Sequence, residues 1–248
     1  MTTCEVIGAA TLYHGDCRDI MPGLQAHAIF TDLPYAPITH ANTRTNKVGV
    51  QPDAPCATFD GITGQTFDHV MGLCLDVAEG WILATCDLRH AAPWIDTPHF
   101  MRMGVLVKRN PTPLICGDRP AHGFEPVLIL HARKVKPQWW GIGAAVWTTN
   151  VVQHAEVPTQ KPVELYMDFV MNFTRQMQIV LDPFMGSGTT GVAAVKLARR
   201  FIGIEREAAH FDVACQRIEN AQRKKVLFHD YVPYRARRLN LEGDPQCP

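Results

Sequence analysis

At 248 residues the chain is long enough for one sizeable α/β domain with its own core and short for two independent ones. Hydrophobic residues make up 46% and charged residues 19%, which excludes a disordered chain, and no apolar run approaches the roughly 18–20 residues that a bilayer span needs. Net charge is zero, so any contact with nucleic acid must come from local clusters such as Lys108 with Arg109, or Arg133, Lys134 and Lys136, rather than from an overall basic field.

In chain order, the first strand candidate is Ala10–His14, followed by Gly15, Asp16 and Cys17. Ala28–Thr31 is the second, and it runs into Asp32-Leu33-Pro34-Tyr35. Residues 36–64 are polar, rich in Pro, Gly, Thr and Asn, and without periodicity. They are expected to form a mobile target-side loop whose Arg44 and Lys47 contact DNA phosphates. Thr66–Ala78 carries apolar residues at helical spacing and is stopped by Gly80. Strands follow at Trp81–Thr85, Gly104–Lys108 and Pro126–His131. Within residues 110–158, Trp139, Trp140 and Trp147 stand among Gly and Pro in a pattern that fits neither helix nor strand. Val163–Phe173 reads as a helix, Ile179–Leu181 as a strand, Gly191–Arg199 as a helix, Phe201–Ile204 as a strand and Glu207–Lys224 as an amphipathic helix. Residues 231–248 are polar and basic and are expected to be a poorly ordered tail. Seven strands alternating with helices predict an α/β fold with a mainly parallel sheet and helices on both faces.

Two stretches carry chemistry. In Leu181-Asp182-Pro183-Phe184-Met185-Gly186-Ser187-Gly188-Thr189-Thr190-Gly191 an apolar strand enters a glycine turn that opens a helix. Such a turn lets backbone approach a ligand closely and points unpaired N–H groups at an anion. Glu205, at the next strand's end, can accept from ribose hydroxyls, so the two elements describe a nucleoside-containing cofactor. Gly186, Gly188 and Gly191 also satisfy G-x-G-x-x-G, which raises a nicotinamide dehydrogenase as a rival. In that architecture, however, the fingerprint opens the fold, whereas here only about sixty residues follow it and most strands lie upstream. The sheet is therefore permuted. Asp32-Leu33-Pro34-Tyr35 sits where open α/β sheets bind ligands. Its aromatic ring could stack on a flipped base while the carboxylate and a carbonyl accept from that base's amino group.

Taken in order, Asp32-Leu33-Pro34-Tyr35, Thr159-Gln160-Lys161-Pro162 and Asp182-Pro183-Phe184 with its Gly186-Ser187-Gly188-Thr189-Thr190 turn resemble the signatures of the β-class (permuted) S-adenosylmethionine-dependent DNA amino-methyltransferases. The resemblance runs from about Leu12 to Ile218, and small phage and prophage adenine-N6 enzymes are the most similar in style. It implies a Rossmann-like methyltransferase fold: a seven-stranded mixed sheet with helices on both faces and circularly permuted motif order, forming a single catalytic domain over residues 1–248.

The same resemblance implies that S-adenosyl-L-methionine is held by Asp182, Phe184, Gly186, Ser187, Gly188 and Thr189, with Glu205 on the ribose. Asp16 and Cys17 would meet its adenine, and Lys161 would face its methionine carboxylate; the alternative for Asp16 is a turn-capping aspartate. Asp32, Leu33, Pro34 and Tyr35 become the catalytic tetrad, with residues 110–158 as a target-recognition insertion. Leu33 stands where the family usually has proline, and Val157 where it usually has histidine. Asp at the first tetrad position is associated with adenine N6 rather than cytosine N4, which remains the alternative. RNA, protein or small-molecule methylation and a catalytically silent binding module are more distant readings.

The expected partner is double-stranded DNA, with a monomeric or homodimeric enzyme and no membrane. Eight scattered cysteines without a C-x-x-C pair, and an amino terminus without a basic, apolar leader, add the expectations of packing thiols, no metal and a cytoplasmic location.

Overall fold

The computed structural model describes residues 2–36, 61–110, 123–141, 143–150 and 160–223. Residues 37–60, which hold Arg44 and Lys47, residues 111–122, 142 and 151–159 of the target-recognition segment 110–158, and residues 224–248, which include the tail 231–248, lie outside the described residues.

Among the described residues, nine strands form one sheet: β1 Thr3–Ile7, β2 Ala10–His14, β3 Ala28–Asp32, β4 Trp81–Thr85, β5 Phe100–Lys108, β6 Phe124–His131, β7 Val146–Thr149, β8 Ile179–Asp182 and β9 Arg200–Glu205. Their order across the sheet is β1-β2-β9-β8-β3-β4-β6-β5-β7. The expected count of seven is thus corrected to nine, and both additions are edge strands. β1 pairs antiparallel with β2 and is exposed along most of its length, with Val6 69% accessible, so it offers no buried alternation to read. β7 is four residues long and is fixed by tertiary contact: Trp147 is buried and its indole Nε1 donates to Asp168 Oδ2 at 2.7 Å.

Six α-helices lie among the described residues: α1 Cys17–Ile20, α2 Gly64–Val77, α3 Leu88–Ala91, α4 Val163–Phe173, α5 Thr189–Lys196 and α6 Ala208–Arg223. On one face of the sheet Phe67, Val70, Met71 and Cys74 of α2 pack with Ile29, Ile82 and Leu181. On the other, Phe169 and Val170 of α4, Ala193 of α5 and Ile218 of α6 pack with Phe30, Leu83 and Phe201. Strands covered on both faces read as continuous apolar runs, as Ala28–Phe30 and Trp81–Ala84 do.

The five adjacent strands β2, β9, β8, β3 and β4 are all parallel, so their carboxyl ends share one edge of the sheet. That edge carries, strand by strand, Asp16 just beyond β2, Glu205, Asp182, Asp32 and Thr85. β6 runs antiparallel to β4, and therefore its beginning, with Glu125, reaches the same edge. β5 is antiparallel to β6 and ends there at Lys108.

Candidate active site

The glycine turn is built around Asp182. This carboxylate is buried; Oδ1 accepts from the Phe184 N–H at 3.1 Å and Oδ2 from the Thr190 hydroxyl at 2.5 Å, so the side chain folds the turn back on itself. Burial pushes its pKa up to about 7 despite these donors. Gly186 and Gly188 both adopt left-handed conformations, with φ of 51° and 75°. Their bare faces look in different directions. A Cβ on Gly186 would meet nothing within 4 Å, whereas one on Gly188 would lie 2.9 Å from the Ala214 Cβ of α6. The hydroxyls of Ser187 and Thr189 also turn toward α6, where Arg217 Nη1 donates to them at 2.6 and 3.3 Å.

Glu205 faces the turn across the β8–β9 boundary. Its Oε2 accepts from the Gly186 N–H at 2.9 Å and its Oε1 from the Glu207 N–H at 2.8 Å. Each oxygen retains a lone pair for a further donor. Asp16 is the N-cap of α1, accepting from the Arg18 N–H and pairing with the Arg18 guanidinium at 2.5 Å, a contact that holds its pKa below the usual carboxylate range. The capping role expected as the alternative is therefore present, and the carboxylate stands at the same sheet edge. Beside it Cys17 is buried and its thiol is pushed up to about 12 by burial, which makes it a packing group.

Next along the edge is Asp32. Oδ1 accepts from the Thr85 hydroxyl at 2.5 Å, and Oδ2 lies 2.6 Å from Lys161 Nζ. Leu33, which replaces the proline of the resembling family, donates its extra N–H to the Thr85 carbonyl at 3.1 Å and buries its side chain against the α2 face of the sheet. This is why the substitution is tolerated: the added donor extends the β3–β4 ladder instead of remaining unpaired in the interior. Tyr35 is half-buried, and its carbonyl accepts from Ile62 N–H at 3.2 Å. Its hydroxyl is buried near Glu125; burial first, then the Glu125 and Asp32 charges, hold the phenol far above its ordinary pKa.

Lys161, expected to meet a cofactor carboxylate, bridges two carboxylates of the chain itself, Asp32 and Glu125, the latter at 3.2 Å. Burial works against its charge, but the two carboxylates outweigh it and raise the ammonium's pKa. Glu125 is only 4% exposed and also pairs with Lys108 at 2.5 Å. Burial pushes its carboxyl up; Lys161 and Lys108 more than reverse this, to about 2. Lys108, grouped by sequence with phosphate-facing residues, is thus committed to an internal acid. Of the expected site residues, the fold brings Asp16, Asp32, Lys161, Asp182, Gly186 and Glu205 to one edge, while Ser187, Thr189 and the Gly188 Cβ position are turned into the α5–α6 contact.

The profile of the DNA methylase family matches residues 105–216, which span β5 to α6 and include Lys161, the glycine turn and Glu205. The Type II methyltransferase M2.DpnII of Streptococcus pneumoniae is 43% identical over 79 residues, a match covering 30% of each chain, so this chain matches less than a third of that relative's length. The crystal structure of the M1.HpyAVI–SAM complex is 26% identical, covers 84% of this chain and 99% of its own, and superposes with a TM-score of 0.62. Residues 105–216 thus match the DNA methylase family over rather less than half of the chain. PvuII DNA methyltransferase, named as cytosine-N4-specific, shares the fold at 13% identity with a TM-score of 0.63, covering 93% of this chain and 90% of its own.

Three polar residues of the site escape a reading by motif: Thr85, Glu125 and Lys108. Thr85 looks like the last residue of an apolar strand. Glu125 leaves a signal, an acid in the otherwise apolar run Phe124–His131, which only a buried partner can justify. The pairing also sets an acid limit on stability. Glu125 ionises near 4.5 when unfolded and near 2 when folded, so its contribution is fully present above pH 4.5 and is lost as the pH falls through that window. Melting temperatures measured from about pH 5 to about pH 2 should fall more steeply for the natural protein than for E125Q. Parallel declines would show that the pairing does not contribute.

Proposed function

We propose that the protein transfers a methyl group from S-adenosylmethionine to the N6 amino group of adenine in double-stranded DNA, acting on a base extruded from the helix. The single observation that carries the reading is the placement of Asp32. This carboxylate lies at the parallel sheet edge beside the open Gly186 turn, held from behind by Thr85.

The residues present suit the cofactor. Gly186 presents bare backbone to open space, and Glu205 keeps acceptor capacity for a diol beside it. Asp182, Gly186 and Glu205 would hold the nucleoside portion, with Phe184 and Asp16 flanking it. When bound, S-adenosylmethionine supplies an electrophilic methyl on a good leaving group. The chain's own task is then orientation and charge stabilisation.

The lone pair of an adenine amino group is delocalised into its ring. Hydrogen bonds from that group to Asp32 and the Leu33 carbonyl favour a pyramidal nitrogen and stabilise the positive charge that develops there. Asp32, with Oδ1 fixed by Thr85, is placed to accept such a bond and later the surplus proton. Tyr35, with its hydroxyl buried and the residue as a whole partly accessible, suits stacking on the base. Because an enzyme named as cytosine-N4-specific has the same fold, the choice of adenine rests on Asp32 at the first tetrad position, as the family resemblance implies.

Tyr35→Ala should weaken productive base binding by about 1–3 kcal/mol, lowering kcat/KM for DNA by roughly ten- to a hundredfold while cofactor affinity stays within a few fold. Steady-state kinetics with DNA varied, together with calorimetry of the cofactor alone, would measure both. The reading as a whole is tested by offering labelled S-adenosylmethionine with duplex DNA, RNA and protein acceptors in parallel. Label should enter the DNA. Label in RNA or protein alone would overturn the proposal.

A further inference from the structure

Both oxygens of Asp32 are engaged in the structure, Oδ1 by the Thr85 hydroxyl and Oδ2 by the Lys161 ammonium. An amino group that is to donate to this carboxylate must share or replace one of these donors. Thr85 is the last residue of β4, and its hydroxyl is set by the strand. Lys161 is different: an ammonium has three donors on a flexible stem and can turn about while keeping another partner. That partner is Glu125, whose Oε2 lies 3.2 Å from Lys161 Nζ.

The charges support the same exchange. Asp32, Glu125, Lys161 and Lys108 form two carboxylates and two ammonium groups, neutral in sum, with the Lys161 and Glu125 side chains 13% and 5% exposed. If Lys161 released Asp32 without another acid to hold, a nearly buried cation would be left unpaired, a costly state. It would also stand beside the nitrogen on which positive charge grows during methyl transfer, and like charges at that distance repel strongly in a low-dielectric site. Glu125 removes both difficulties. Its charge also acts on the buried Tyr35 hydroxyl, so one carboxylate neighbours both the ammonium and the stacking ring.

We propose that Glu125 is a positioning residue for methyl transfer: it is the second acceptor that keeps Lys161 paired while Asp32 Oδ2 passes from the ammonium to the amino group of the target base. The inference rests on the methyltransferase reading above. It assigns Glu125 no contact with the base and no proton transfer; its effect passes through Lys161 and Tyr35.

E125Q separates charge from shape, because the amide keeps the side chain's size and retains a carbonyl acceptor. In E125Q kcat for methyl transfer to DNA should fall at least tenfold, while the cofactor KM, and the cofactor Kd from calorimetry without DNA, stay within about twofold. E125D, which restores the charge, should lie much closer to the natural enzyme. Should E125Q not fold, K108M/E125Q restores charge balance with the second acceptor still missing, and it should show the same loss of kcat. A natural-level kcat in E125Q or in the double variant would overturn the assignment, as would an E125D enzyme as impaired as E125Q. A natural enzyme that transfers no methyl to DNA would sink the underlying reading instead.

Discussion

Asp32→Ala should lower methyl transfer to DNA by about 10³-fold or more, at the upper end of what removing one preorganised transition-state group costs, with cofactor affinity kept within a few fold. The separation follows from the site's layout. Asp32 touches Thr85 and Lys161, whereas the glycine turn is organised by Asp182 and Glu205 on neighbouring strands. Lys161 retains Glu125 in the variant, so the carboxylate can be removed without stranding the ammonium. Single-turnover kinetics would read the chemical step, and calorimetry the cofactor. Asp32→Asn keeps an acceptor for Thr85 and should be nearly as inactive, because the lost charge is what stabilises the developing cation. Either variant retaining a tenth of the natural rate, or losing cofactor affinity in proportion to its activity, would turn Asp32 into a structural turn residue.

The second large effect separates two glycines that look equivalent in the sequence. Gly188→Ala places a Cβ 2.9 Å from the Ala214 Cβ and 3.1 Å from its Cα, at a φ of 75°. Left-handed strain of about 1–2 kcal/mol adds to overpacking of about 1–3 kcal/mol. At roughly 2–4 °C per kcal/mol for a chain of this size, the melting temperature should drop by about 5–15 °C. Gly186→Ala has the left-handed strain, at a φ of 51°, but no neighbour within 4 Å, so it should cost only a few degrees by the same scale. It should instead weaken S-adenosylmethionine binding at least tenfold, because the methyl fills the space that the cofactor is expected to use. Thermal unfolding and calorimetry on the pair would show a crossed pattern. If Gly186→Ala binds the cofactor as the natural protein does, the nucleoside does not lie against this turn.

These two glycines also show what the sequence could and could not disclose. The turn, the helix it opens and Glu205 beyond it were legible because φ-permissive residues and a strand-ending acid have few other uses together. Which glycine faces the ligand was not legible, since that depends on α6 folding back against Gly188 from more than twenty residues downstream. The central strands were readable from their apolar runs, Trp81–Thr85 to the residue. β1 and β7 were not, because an exposed edge strand and a four-residue strand fixed by Trp147 and Asp168 carry no periodic signal. At the site, Asp32 and Tyr35 stood out as a motif. Glu125 did not, because its significance lies in two lysines brought from β5 and from the entry to α4.

The central claim is most directly tested by identifying the modified nucleoside. DNA methylated by the purified protein with labelled S-adenosylmethionine would be digested to nucleosides and separated. All of the label should co-elute with N6-methyldeoxyadenosine, and Asp32→Ala should yield none. Label in N4-methyldeoxycytidine would contradict the choice of base, and DNA left unlabelled under conditions in which the cofactor binds would contradict the account as a whole.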